Sequence, residues 1–135
     1  MTTVTNPSAA TLRSRVITFS RNLAAASGQV AYTGVGFRGT AIILIGTDNA
    51  QLVSVGVGDV QVATASIVRR YNSAIPEYSY RGATASELGI IWVTNSDYHE
   101  IDLVSFDNDG FTLNYTKVGA PTGTAVLAAL VLAVQ

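Results

Sequence analysis

The stretch IDLVSFDNDGFTLNYTK, residues 101–117, shows the fold most clearly. Apolar residues occupy every second position on both sides of its centre, as in Ile101 and Leu103 before it and Phe111 and Leu113 after it. A period of two is typical of a half-buried strand, and Asp-Gly at 109–110 between two such runs favours a tight turn. The stretch therefore predicts an antiparallel β-hairpin.

Strand-like runs separated by turn residues continue through the rest of the chain, and none of them carries a convincing helical period. The length of 135 residues is ordinary for one domain. We expect an all-β fold, a jelly-roll-like antiparallel β-sandwich of about eight strands, over residues 15–135. Residues 1–14 are small, polar and interrupted by Pro7, which predicts an extended N-terminal arm.

Four of these runs carry sharper expectations. TAIILIGT (40–47) is apolar almost throughout, which is typical of a strand covered on both faces. AVLAALVLAV (125–134) is too short to span a bilayer and favours a buried strand. In QLVSVGVGD (51–59), valines alternate with serine and glycine, and we expect the valine side to face the core. SAIPEYSYRG (73–82) contains a proline, which predicts a loop or an edge strand.

Composition limits the classes of function. Charged residues make up only 13% of the chain, about half the usual share, so we expect copies of the chain or a larger assembly to cover part of the surface. The net charge of −1 predicts no general affinity for nucleic acid or anionic membranes. Without cysteine, the chain has no disulfide, thiolate metal site or cysteine nucleophile. The opening MTTVTNPSAATL predicts no secretory signal.

Glycines in TGVGFRGT, residues 33–40, match the spacing of a dinucleotide-binding loop, with Gly34, Gly36 and Gly39 at G-x-G-x-x-G. Such a loop needs a helix that starts within it, because the free N–H groups of the helix hold the phosphate. The strand-like run AIILIG follows instead. We therefore interpret the glycines as a tight connection between strands and expect no cofactor.

Acidic residues around 107–110 invite a calcium interpretation. An EF-hand loop would need an acidic ligand where Ser105 stands and a glutamate where Thr116 stands, so the pattern DNDG favours a simple turn and no metal.

His99 lies beside Asp97 and Glu100, where a base and carboxylates meet in the sequence. In a short polar turn we expect this imidazole to be solvated and without a catalytic partner. Spacing does not select a carboxylate pair from the acidic residues Glu77, Glu87 and Asp102, so we expect no catalytic residue and no enzymatic activity.

Tyrosines and arginines are densest between residues 69 and 98. Aromatic rings and guanidinium groups suit recognition of a protein partner or, second, a sugar, whereas the alternative is that Tyr78 and Tyr80 cover the core from an edge strand. The candidate contacts are Arg69, Arg70, Tyr71, Tyr78, Tyr80, Arg81 and Tyr98. In the N-terminal segment, Arg13 and Arg15 are candidate contacts to acidic groups on a neighbouring subunit or a shell protein.

Two phrases of the sequence resemble a known family. TGVGFRGTAIILIG (33–46) and LVSFDNDGFTLNYTKVGAPTGT (103–124) are similar to segments of small β-sandwich virion proteins of tailed bacteriophages, and the resemblance extends over about residues 16–134. This chain departs from the pattern at Gly39, where proline is common, and at Tyr115, where tryptophan is common. Its last strand is aliphatic where an aromatic residue is frequent.

The resemblance implies a virion component made in the bacterial cytoplasm, with no family active site. We expect first a capsid decoration or cement protein that forms a small homo-oligomer, a trimer by preference, and attaches to the major capsid protein through its arm. The sequence shows one compact domain and no coiled-coil or repeated shaft, which favours this interpretation over a tail or tail-fibre component. A module that binds host-surface glycans is the third alternative.

Overall fold

The computed structural model describes residues 9–47, 52–59, 64–72, 75–81, 87–94 and 96–134. Within these ranges we find no helix able to cross a membrane. The described chain forms ten strands: β1 (Leu12–Asn22), β2 (Gly28–Thr33), β3 (Ala41–Thr47), β4 (Leu52–Asp59), β5 (Thr64–Asn72), β6 (Ile75–Arg81), β7 (Glu87–Trp92), β8 (Tyr98–Asp107), β9 (Gly110–Val118) and β10 (Thr124–Val134).

The strands form two antiparallel sheets, which confirms the predicted β-sandwich. A six-stranded sheet has the order β1-β10-β3-β4-β5-β6, and a four-stranded sheet has the order β2-β9-β8-β7. The chain crosses between sheets from β1 to β2, from β2 to β3, from β6 to β7 and from β9 to β10, while β3 to β6 and β7 to β9 run as meanders. The proline-containing strand β6 lies at an edge, as predicted, where a missing N–H breaks no inner ladder.

The predicted hairpin is β8–β9, closed by the register pair Asp107 and Gly110. Its alternating apolar residues point into the space between the sheets, where Phe111, Leu113 and Tyr115 are fully buried. Leu127 and Val131 of β10 face them from the other sheet as part of the same core. Burying these side chains stabilises the fold by about 1.5–3 kcal/mol each.

Strand β4 corrects one expectation, because its serine and glycine side faces the core. Ser54 and Gly56 are buried, whereas Val53 and Val57 are exposed. A Cβ atom added at Gly56 would lie 1.5 Å from the carbonyl oxygen of Leu88 in β7, so the sheets approach too closely here for any side chain. The close approach selects glycine for the inner side and leaves the valines outside.

Within the described residues, strands β3 and β10 are covered on one face only, which corrects the expectation that both faces of β3 are covered. The inward residues Ile42 and Leu44 of β3 are buried, and so are all inward residues of β10. On the other side, Ile45 and Val126 are exposed. Each strand therefore presents a second apolar side to the surroundings of the protomer.

Strand β1 begins at Leu12, so the predicted boundary at residue 14 lies inside the first strand. Residues 12–14 pair with 132–134 of β10, which makes them part of the six-stranded sheet. The earlier part of the predicted arm, residues 1–8, lies outside the described residues.

Candidate interaction surface

The glycine-rich loop between β2 and β3 binds a side-chain carboxylate of the same chain. Gly34 and Gly36 have φ values of 96° and 83°, which non-glycine residues rarely adopt. Their N–H groups donate to the carboxylate of Asp109, at 3.2 and 2.6 Å. The Val35 N–H also donates to the Asp109 carbonyl oxygen, at 3.0 Å. The loop therefore connects strands, as predicted, and fastens the tip of the β8–β9 hairpin.

The acidic turn at 107–110 is held by hydrogen bonds within the protein. Asp107 accepts from the hydroxyls of Ser105 and Thr112, both at 2.8 Å, while Asp109 faces the glycine loop. Among the described residues, no group of three or more His, Cys, Asp or Glu side chains is placed to hold a metal ion.

His99 is fully buried, which corrects the expectation of a solvated imidazole in a polar turn. It is the second residue of β8 and points inward, where its Nε2–H donates to the Leu23 carbonyl oxygen at 2.8 Å. Burial lowers the pKa of His99, because the imidazolium would lose its hydration. Asp97 instead accepts from the Thr94 hydroxyl and the Ala120 N–H. Asp97 and His99 therefore bind different partners, although they lie two residues apart in the sequence.

A polar cluster missed by the sequence analysis surrounds this histidine. The hydroxyls of Tyr32 and Tyr115 lie 2.7 Å apart, and the guanidinium of Arg21 lies 4.3 Å from the centre of the Tyr115 ring. Arg21 also donates to the carbonyl oxygen of Ala26 at 2.6 Å. Burial raises the pKa of Tyr115, so this phenol stays neutral. In the sequence, the alternating pattern that places Tyr115 on the inward side of the hairpin is the signal that could have indicated this cluster.

The two arginines predicted to contact a partner lie in β1 and not in a free arm. The Arg13 guanidinium lies 4.9 Å from the centre of the Phe37 ring, a cation–π contact within the protomer. Arg15 is exposed and pairs with Val131 in the register of β1 and β10. A contact between Arg15 and a neighbouring subunit stays a prediction.

The tyrosine and arginine cluster is divided between the sheets. In the backbone register of β5 and β6, Arg69 lies opposite Tyr78, and Tyr80 lies opposite Ile67. Arg70, Tyr71 and Arg81 belong to the same two strands, whose side chains lie outside the described part of the structure. Tyr98 belongs to the four-stranded sheet and stacks on Trp92, with ring centres 4.7 Å apart. Six of the seven residues thus lie on two neighbouring strands of the six-stranded sheet.

The most extensive candidate surface is the outward side of β1, β10, β3 and β4, which we call the outer face. One row crosses all four strands in register, from Val16 through Leu130 and Ile43 to Val57. Relative exposure is 59% at Val16 and 45% at Val57, high values for residues of this type. The large hydrophobic residues most exposed on this face are Leu12, Val16, Ile45, Val53, Val57, Val126 and Val134.

The outer face carries almost no charge. Among the residues that point outward from these four strands, Asp59 at the end of β4 is the charged one. The β1 side is lined by hydroxyl groups, as at Ser14 and Thr18, and the apolar residues are concentrated on β10, β3 and β4. The sequence does not predict this face, because its pattern favours a core position for the valines of β4 and burial of both sides of β3.

The outward side of the four-stranded sheet is polar by contrast. It presents Glu100 and Asp102 from β8 and Asn114 and Thr116 from β9. A polar outward side is typical of an antiparallel sheet that faces water. Within the described residues, the two outward sides of the sandwich therefore differ in polarity.

No family model and no curated protein matches the chain. Among solved structures, similarity is found to a tailspike protein, gp49 from Acinetobacter baumannii bacteriophage Fri1, a capsular polysaccharide depolymerase. The TM-score is 0.36 and the sequence identity is 12%, over 92% of this chain and 18% of the tailspike chain. This chain thus spans less than a fifth of the tailspike, and a likeness at this level identifies neither a family nor an activity.

Proposed function

We propose that this chain is a structural component of a bacteriophage virion and acts by assembly with other chains. The observation that carries the proposal is the uncharged, apolar outer face, because a soluble protein keeps such a surface only where something covers it. The assignment to a phage particle rests on the resemblance of residues 106–124 to the endings of phage β-sandwich proteins.

Within the virion, we place the chain in the tail or tail fibre ahead of the capsid surface. In the capsid interpretation, an N-terminal arm attaches the chain to the shell, with Arg13 and Arg15 as candidate contacts. Both residues lie in β1, and Arg13 is already engaged by Phe37. The residues expected to attach a decoration protein are thus part of the sandwich.

The proposal includes no catalysis. The single imidazole of the chain is enclosed in the core against Leu23, out of reach of a substrate. The carboxylates of Asp97, Asp107 and Asp109 are occupied by hydrogen bonds that shape turns. These groups make hydrogen bonds that stabilise the fold.

Labelling of purified particles tests the location. Antibodies raised against the chain and coupled to gold should mark tails or fibres on intact virions, and mass spectrometry should find the protein in gradient-purified particles. A signal confined to capsids would move the protein to a decoration role. Absence of the protein from particles would reject a virion role.

Binding of a host-surface glycan is the second candidate function, favoured by the register that places Arg69 opposite Tyr78 on neighbouring strands. Aromatic rings beside planar cationic groups suit sugar rings and their acidic substituents. On a glycan array, Tyr78→Ala and Tyr80→Ala should each abolish a signal that Tyr98→Ala, in the other sheet, leaves intact. A blank array for the unmodified chain would leave assembly as the sole proposal.

A further inference from the structure

We infer that the outer face is covered by the outer face of other copies of this chain, so that the protein is a closed homo-oligomer. The inference rests on the proposed structural role and adds the surface and the partner. Residues of β1, β10, β3 and β4 form the contact, with the row from Val16 to Val57 crossing its middle.

Strands β3 and β10 are apolar on both sides. In β10, the inward Leu127 and Val131 are buried in the core, while Val126, Leu130 and Leu132 point outward. Strands with this composition are normally covered on both faces. The core covers the inward side, so the outward side requires a second cover that the described residues do not supply.

The size of the outer face agrees with a stable interface. Four strands at a spacing of about 4.8 Å span roughly 19 Å, and eleven residues at about 3.3 Å each run roughly 36 Å along β1 and β10. Because β3 and β4 are shorter, the flat footprint is about 600 Å², which side chains enlarge toward the roughly 800 Å² per partner of a standard interface. The outer face is therefore large enough by itself for a stable contact between two copies.

The chemistry of the face selects an identical partner. Contacts between identical chains place like surfaces together, and a charged surface would then repel itself. Here the contact region is uncharged up to Asp59 at its border, and hydroxyl groups of Ser14 and Thr18 form a polar rim along β1. An apolar centre depleted of charge with a polar rim is the composition of homo-oligomer interfaces.

Size-exclusion chromatography with light scattering, and sedimentation velocity, test the inference on the full chain. We expect the unmodified protein at about 50 µM, a concentration well above the Kd expected for such an interface, to have the mass of two or three chains. Ile45→Lys should reduce it to one chain, because the ammonium group would be buried without a partner. Val104→Lys is the matched control, since Val104 is exposed to a similar degree on the other sheet, and this variant should stay oligomeric.

A second measurement does not depend on the lysine variant folding. The chain has no cysteine, so Ile45→Cys and Val104→Cys each introduce one thiol. The thiol at position 45 should react with a maleimide at least tenfold more slowly than the thiol at position 104, and dilution below the dissociation range should remove the difference.

A monomeric unmodified protein, or equal reactivity of the two thiols at high concentration, would overturn the inference. Neither result would affect the labelling of virions. Conversely, an oligomer that is absent from purified particles would retain this inference and reject the proposed virion role.

Discussion

Individual polar side chains in this sandwich act by binding the backbone of distant segments. Asp109 holds the N–H groups of Gly34 and Gly36, and His99 holds the carbonyl group of Leu23. His99 is buried, and removal of one partner of a buried hydrogen bond costs about 1–3 kcal/mol. These side chains therefore fix how loops join the two sheets.

His99 predicts a pH dependence of stability. Burial lowers its pKa, and the positive charges of Arg21 and Lys117 lower it further, with the neutral phenol of Tyr115 also facing the ring. Below the ordinary value of 6.5, the unfolded chain then binds more protons than the folded chain, so the free energy of unfolding should fall as the pH drops.

Thermal unfolding at pH 7.5 and at pH 5.5 checks this prediction. The Tm of the unmodified protein should be lower at pH 5.5. His99→Gln can still donate to Leu23 but cannot titrate, so its Tm should change less between the two values. An equal decrease in both proteins would assign the pH dependence to other groups.

Gly56 predicts a second effect at the scale of one residue. In Gly56→Ala, the new methyl group would meet the backbone of Leu88 and push the sheets apart, so we expect a loss of about 3 kcal/mol or more in the free energy of unfolding. Urea denaturation measures this loss. The control Val104→Ala removes an exposed side chain and should stay within about 0.5 kcal/mol. A Gly56→Ala protein of normal stability would show that the sheets are farther apart at β4.

At the scale of the element, the start of β1 at Leu12 predicts different stabilities for two truncated proteins. Deletion of residues 2–11 stops before the strand and should leave the Tm nearly unchanged. Deletion of residues 2–14 also removes the pairs of Leu12, Arg13 and Ser14 with β10 and the contact of Arg13 with Phe37. A loss of about 1–2 kcal/mol would lower the Tm by roughly 3–8 °C.

Differential scanning calorimetry of the two truncated proteins compares them directly. Equal Tm values would mean that residues 12–14 contribute nothing to the sheet and that the boundary lies near residue 14. A marked loss of Tm on deletion of residues 2–11 would place part of the predicted arm in the fold.

At the scale of the whole molecule, the uncharged outer face predicts association that is insensitive to salt. Screening weakens contacts between exposed charges and leaves burial of apolar surface intact, while sulfate strengthens it. The dissociation constant measured by sedimentation should therefore change less than threefold between 50 mM and 1 M NaCl and decrease in ammonium sulfate. A tenfold weakening in NaCl would show that charged groups such as Arg15 join the copies.

The sequence by itself determined the all-β class, the β8–β9 hairpin, the edge position of the proline-containing strand and the role of the glycine loop as a connection. Each follows from local chemistry: a two-residue period, a turn dipeptide, a missing N–H or a missing Cβ. These signals act over a few residues and need no knowledge of the rest of the chain.

Only the tertiary structure decided which side of β4 faces inward. The period of two in β4 separates the valines from Ser54 and Gly56, but the choice of inner side depends on the space left by Leu88 in the other sheet. His99 is buried against Leu23, 76 residues earlier in the chain, whose carbonyl oxygen accepts a hydrogen bond from the Nε2–H group. Both outcomes are set by contacts between segments remote in sequence, and such contacts leave no periodic signal.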